Sequence, residues 1–354
     1  MGGRDEAAQR HRLLTAASRA LDLAVVARLS LVGVEKPAAI DLRPVDPHAF
    51  WAESRVRDPR PVSVAATFTP FEGPDWRELD LVGESEGPGA HPGARRVTAT
   101  AHVRRGRPDL PAVLLVHGYA VPFTGFDRWL AWRMRRRGAH TVRMELPYHL
   151  RRSEPGRASG DGFFSIDPAH TRAVVRQAVE DAAALLGWMR RELSPVVSVV
   201  GTSLGGLVAT LLAAQVEVDS LLGIAPLCDP AASFVLRPPL AVQRRMGMLG
   251  AGESFWGSER SMALPALSAA LAPLKPARFE AATPGSRTTL VLAENDLIVG
   301  PEPVAELATA WQTEVWRYPH GHITVMNAPG MGSRVVERAV DGRPEARPAM
   351  QLAG

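Results

Sequence analysis

The chain has 354 residues, long enough for one large domain with an insertion or for two small ones. With 41 basic residues against 37 acidic ones the formal net charge is only +4, a balance that speaks against a dedicated nucleic-acid binder. A single cysteine, Cys228, excludes an internal disulfide framework and any zinc site built from several cysteines, and it is compatible with a reducing compartment.

The first residues, with Leu13, Leu14, Leu21, Leu23, Val25 and Val26, form an apolar pattern that charges interrupt throughout. That is neither a signal-peptide core nor a spanning helix, so a cytoplasmic location is expected. An amphipathic helix packed on the domain is the expectation, with contact to a membrane surface as a second reading. Residues 1–70 are therefore read as a helical, peripheral segment. Pro and Gly concentrate over roughly residues 55–95, where Pro59, Pro61, Pro70, Pro74, Pro88 and Pro92 suggest loops leading into a core.

From there the pattern alternates. Strands are predicted at Val97–Val103, Ala112–Val116, His140–Leu146, Val196–Val200, Ser220–Ile224, Thr288–Ala293 and Thr313–Tyr318. Several are nearly continuous apolar runs, as parallel strands buried on both faces require. Helical stretches at Asp127–Arg137, Ala169–Glu192 and Leu204–Ala214 lie between them. Alternation of this kind implies an α/β fold, a mostly parallel central sheet flanked by helices. The core is assigned to residues 71–228 and 287–354. Residues 229–286 break the rhythm: they are too long for an ordinary connection, apolar and helical, and fit a lid over a site or a structural insertion.

The strongest local motif is Gly201-Thr202-Ser203-Leu204-Gly205-Gly206, between the apolar run Val196–Val200 and a helical run. Gly-x-Ser-x-Gly in that setting is a nucleophile elbow: a sharp strand-to-helix turn presents Ser203, and Gly201 and Gly205 spare the neighbouring backbone a Cβ clash. The helix N-terminus adds donors and a favourable dipole beside a developing anion. His117-Gly118-Tyr119-Ala120 follows the strand Ala112–Val116, where a second oxyanion donor would come from a backbone N–H. Tyr119 is the candidate for that N–H beside Leu204, while Gly118 lets the loop approach and His117 orients it. The motif is not the glycine-rich lipase form, so the donor stays open.

Asp296 stands just past the end of a buried strand, where a carboxylate can hold the tautomer of a histidine. Glu294 and Asp229 are competitors for that role. After the last strand comes Tyr318-Pro-His-Gly-His-Ile-Thr, and of its two histidines His322 suits a base above the sheet, with His320 as alternative. No spacing of the remaining histidines suggests a metal site, and no phosphate-binding glycine loop is present.

Residues 97–340 resemble the α/β-hydrolase superfamily, whose order of serine, aspartate and histidine is the order of Ser203, Asp296 and His322. Glu145-Leu-Pro-Tyr-His, Ser159-Gly160, the elbow and the late Gly-His-Ile are similar to a narrower group around abhydrolase domain-containing protein eighteen. The resemblance implies a triad of Ser203, His322 and Asp296 and no required cofactor. It leads to the expectation of two-step acyl transfer on a small-molecule ester or thioester, apolar or acyl-bearing, with water as acceptor. Transfer to an alcohol or amine, and a non-catalytic binding protein on the same scaffold, are the rival readings.

Overall fold

A computed structural model describes residues 13–25, 41–68, 75–89, 91–165, 167–236 and 260–342. In chain order the described elements are helix α1 (13–25), α2 (Pro47–Ala52), strands β1 (Val62–Phe68), β2 (Trp76–Glu84), β3 (Arg96–Arg104) and β4 (Ala112–Val116), α3 (Gly125–Arg136), β5 (His140–Glu145), α4 (Pro168–Glu192) and β6 (Val197–Thr202). Then follow α5 (Leu204–Gln215), β7 (Ser220–Ile224), α6 (Pro230–Leu236), α7 (Arg260–Ala270), β8 (Thr288–Ala293), α8 (Pro301–Trp311), β9 (Glu314–Tyr318) and α9 (Met331–Asp341).

The strands form a nine-stranded sheet in the order β1-β2-β3-β5-β4-β6-β7-β8-β9. The first three pair antiparallel, and every pairing from β5 through β9 is parallel. The seven predicted strands are present, three with the expected bounds and four with ends shifted by one or two residues. Two strands, β1 and β2, lie where the proline and glycine content suggested loops. They form the antiparallel edge, half exposed, with polar residues interspersed, so they lack the apolar runs that mark the buried strands.

Side chains alternate across β4 and divide the core into two layers. Leu114 and Val116 join Val174, Val175 and Leu207 of α4 and α5 on one face. Val113 and Leu115 join Leu130 and Met134 of α3 and Met331 and Val335 of α9 on the other. Helix α4 starts cleanly because Asp167 caps it, accepting from Ala169 N at 3.0 Å, and Pro168 takes the first turn, where its missing N–H costs nothing.

Of the 229–286 interval, α6, α7 and short 3₁₀ turns are described, and residues 237–259, with most of the apolar side chains that suggested a lid, lie outside the described residues. Among the described residues no helix is long and apolar enough to cross a membrane. Helix α1 is helical as expected, but its polar side faces inward: Ser18 and Asp22 are buried while Leu13, Leu21 and Leu23 are exposed.

Candidate active site

The sheet positions the site through its register. Val116 pairs with Gly201, which sets the loop after β4 beside the turn after β6. Ser203 occupies that turn with φ 53° and ψ −114°, a backbone conformation that costs on the order of 1–3 kcal/mol and persists only where its surroundings enforce it. The enforcement is visible. Ser203 N donates to Ile224 O at 2.9 Å, and Ser203 O accepts from Leu207 N and Leu227 N at 3.1 and 3.0 Å. A Cβ at Gly201 would collide with the Gly205 carbonyl, and one at Gly205 with the Val116 carbonyl, so both glycines are required by close backbone approach.

Ala293 pairs with Tyr318, and this brings the loops after β8 and β9 together. Asn295 N donates to His320 O at 2.9 Å across them. Asp296 and His322 thereby meet, with His322 Nδ1–H donating to Asp296 Oδ2 at 2.7 Å. The other ring nitrogen, Nε2, is left to accept from the Ser203 hydroxyl 2.8 Å away. Asp296 Oδ1 accepts from Ile298 N and Val299 N at 2.8 and 2.9 Å, so both carboxylate oxygens are committed.

All three sequence candidates are therefore in hydrogen-bond sequence. Burial opposes charge on both Asp296 and His322, but their mutual attraction outweighs it. The His322 charge and the bonds from His322, Val299 and Ile298 hold the Asp296 carboxyl below its ordinary value. Asp296 and, less strongly, the charge of Asp22 hold the imidazole of His322 above its ordinary value.

The competitors stand elsewhere. Glu294 is exposed. Asp229 pairs with Lys275 at 3.1 Å. His320 is buried, does not line the cavity at Ser203, and is held below its ordinary pKa by that burial.

The oxyanion candidates flank Ser203. Leu204 opens α5, where the first N–H groups have no acceptor within the helix. Gly118 is so close that a Cβ there would lie 3.5 Å from Ser203 Cβ, and Tyr119 follows it. His117 braces this loop: Nδ1–H donates to Gly118 O at 2.7 Å and Nε2 accepts from Leu146 N at 3.1 Å. Burial pushes its pKa down to about 4, so it is neutral and suited to accept.

The Pro147-Tyr-His and Ser159-Gly160 motifs buttress the same loop. His149 Nε2 accepts from Ala120 N at 3.0 Å, and Gly160, at φ 97°, sits where a Cβ would come within 3.0 Å of Ala120 Cα. The Tyr119 ring packs on Phe164 with centroids 4.9 Å apart.

A cavity of about 460 Å³ opens on Ser203 and His322. Its wall is mostly apolar, including Phe123, Phe126, Phe164, Phe234, Ile298 and Met326. Val25 of α1 also lines it. Among the described residues no group of three His, Cys, Asp or Glu side chains could hold a metal ion.

The family model for the alpha/beta hydrolase family matches residues 113–338, well over half of the sequence. The chain belongs to this family. It superposes on the acetyl xylan esterase of Paenibacillus sp. R4 with a TM-score of 0.61 at 15% identity, covering 86% of this chain and 97% of that one. For acetyl xylan esterase 1 of Thermoanaerobacterium sp. JW/SL YS485 the TM-score is 0.62 at 16% identity, with 89% and 97% covered. At such identity these similarities speak for the fold. No curated protein matches the chain.

One part of the site left no local signal in the sequence reading. Asp22, Ser18 and Thr15 of α1 bond to the loops that carry Asp296 and His322. Their spacing of three and four residues puts them on one helical face, but nothing in that spacing marks the face as part of a site.

Proposed function

We propose that the chain is a serine hydrolase that cleaves esters or thioesters of apolar acyl groups through Ser203, His322 and Asp296. The observation that carries this reading is the unbroken chain of short hydrogen bonds from Asp296 through His322 to Ser203 at the mouth of an apolar cavity. His322 accepts the Ser203 proton as the hydroxyl oxygen attacks the acyl carbon, and the C=O electron pair moves onto oxygen. The N–H groups of Leu204 and Tyr119 stabilise that oxyanion, each contributing roughly 3 kcal/mol by comparison with donors of this kind. Collapse expels the alcohol or thiol, which takes the proton from His322. Water, deprotonated by His322, then attacks the acyl-enzyme and frees Ser203.

The apolar wall supports an acyl-bearing substrate, and both structural neighbours are acetyl xylan esterases, in keeping with ester chemistry. The narrower resemblance to the group around abhydrolase domain-containing protein eighteen rests on the Glu145–His149, Ser159-Gly160, elbow and Gly-His-Ile motifs alone, and it adds no substrate. The test is turnover of p-nitrophenyl esters from acetyl to dodecanoyl by the wild type and by Ser203→Ala. Hydrolysis by the wild type that rises with acyl length and is lost in the variant supports the reading. Equal turnover by the variant removes Ser203 from the reaction. Transfer to an added alcohol in place of water identifies the acyltransferase alternative.

A further inference from the structure

The loop that carries His322 is held from outside the α/β core. Asp22 has no exposed surface, and its carboxylate faces three backbone N–H groups. Oδ2 accepts from His322 N at 2.8 Å and from Leu297 N at 3.1 Å, and Oδ1 accepts from Ile323 N at 3.1 Å. Two of these donors belong to the base's loop, and the third adjoins Asp296. One side chain thus bridges the two loops whose separation sets the His322–Asp296 contact.

Neighbouring contacts point the same way. A Cβ at Gly321 would fall 2.8 Å from Asp22 Oδ2, so the loop lies flat against the carboxylate only because residue 321 has no side chain. One turn earlier on α1 the Thr324 hydroxyl donates to Ser18 Oγ at 2.9 Å, and two turns earlier Asn295 Nδ2 donates to Thr15 Oγ1 at 3.4 Å. A helix docked for hydrophobic cover would turn its leucines inward. Here Leu13, Leu21 and Leu23 are 64%, 42% and 47% exposed, and the only fully buried side chains of the helix are Ser18 and Asp22, with Leu14, Thr15 and Val25 half-buried beside them. Bonds from N–H groups to a buried carboxylate are among the strong ones in proteins, and leaving such donors without an acceptor is costly. The docking of α1 is therefore specified by the two site loops themselves.

We propose that Asp22 is a positioning residue of the active site, which fixes the His322 backbone against the Asp296 loop so that the imidazole reaches Ser203. The N-terminal segment is then part of the functional machinery and not a peripheral appendage. The proposal rests on the triad reading above.

The test uses the full chain as wild type, Asp22→Asn, Asp22→Ala, Ser203→Ala and Leu21→Ala, with p-nitrophenyl butyrate as substrate. An asparagine keeps the shape but offers one carbonyl oxygen, so its NH₂ opposes either Ile323 N–H or the pair from His322 and Leu297. Asp22→Asn is expected to lower kcat about 10- to 100-fold, the scale of a misplacement near 1 Å, with KM within about twofold.

The charged groups that raise the pKa of His322 are Asp296 and Asp22. Removing the Asp22 charge therefore moves the acid limb of kcat/KM to lower pH, a readout that a merely structural role leaves in place. Leu21→Ala, on the exposed face, leaves both quantities unchanged.

Asp22→Asn with unaltered kcat and an unmoved acid limb, beside an inactive Ser203→Ala, overturns the proposal while leaving the triad reading intact. An Asp22→Asn protein that no longer folds, judged by circular dichroism and thermal unfolding, also overturns it, since Asp22 is then a determinant of the fold. If Asp22→Ala alone unfolds, the asparagine variant decides. An active Ser203→Ala overturns both readings together.

Discussion

Replacing Asp296 by asparagine changes one atom type and tests how the acid acts. In the wild type Oδ1 is occupied by Ile298 N and Val299 N, and Oδ2 by His322 Nδ1. An asparagine must satisfy the two backbone donors with its only oxygen, so its NH₂ faces the imidazole. Two donors then oppose each other unless the ring shifts its proton to Nε2. That tautomer has no lone pair for the Ser203 hydroxyl 2.8 Å away. Comparable loss of the correct tautomer costs about 10⁴ in kcat, or roughly 5 kcal/mol of transition-state stabilisation at 1.36 kcal/mol per tenfold. The fold should tolerate the change, because the two backbone bonds survive. The assay is steady-state hydrolysis of p-nitrophenyl butyrate beside a thermal unfolding curve. Activity within about tenfold of wild type, in a folded variant, refutes the assignment of Asp296 as the group that orients His322.

Three further outcomes follow from the same geometry. Because the proposed mechanism needs neutral His322, whose pKa Asp296 holds above the ordinary value of 6.5, kcat/KM should fall as pH drops through a midpoint above 6.5, and an acid limb below that value contradicts the proposed role of His322. Gly205→Ala places a methyl against the Val116 and His117 carbonyls, so it should displace the elbow, lower stability by about 1–3 kcal/mol in denaturant titrations and abolish turnover; normal activity would show that the turn can yield. Arg152 is fully buried, 2.8 Å from Asp181, and also donates to Glu145 O at 2.9 Å and Ala94 O at 3.1 Å. Arg152→Ala should cost about 3–5 kcal/mol in urea unfolding, because it strands the Asp181 carboxylate, and the double variant with Asp181→Asn should recover part of the loss.

What was legible in the sequence follows from how each part is buried. Strands β4, β6, β7 and β8 are covered on both faces, so their sequences read as apolar runs whichever side chain is taken. Strands β1 and β2 sit at the antiparallel edge, where half-exposed positions admit Arg77, Glu78 and Asp80, and flanking prolines made the region look like loop. Ser203, Asp296 and His322 could be singled out because each lies within four residues of the end of a recognisable strand, and strand register brings the three loops together. Local pattern also left real alternatives, Glu294 beside Asp296 and His320 beside His322, which only the direction of each side chain separates. Asp22 was out of reach for a different reason. It acts on backbone N–H groups some 300 positions away, and backbone donors have no residue identity to read.

The most direct measurement on the central claim is labelling with a fluorophosphonate probe, wild type beside Ser203→Ala, with the modified peptide mapped by mass spectrometry. An oxygen activated by His322 and facing an open cavity should react at Ser203 alone, and the variant should remain unlabelled. Labelling at another serine, or equal labelling of the variant, would contradict the assignment of Ser203 as nucleophile.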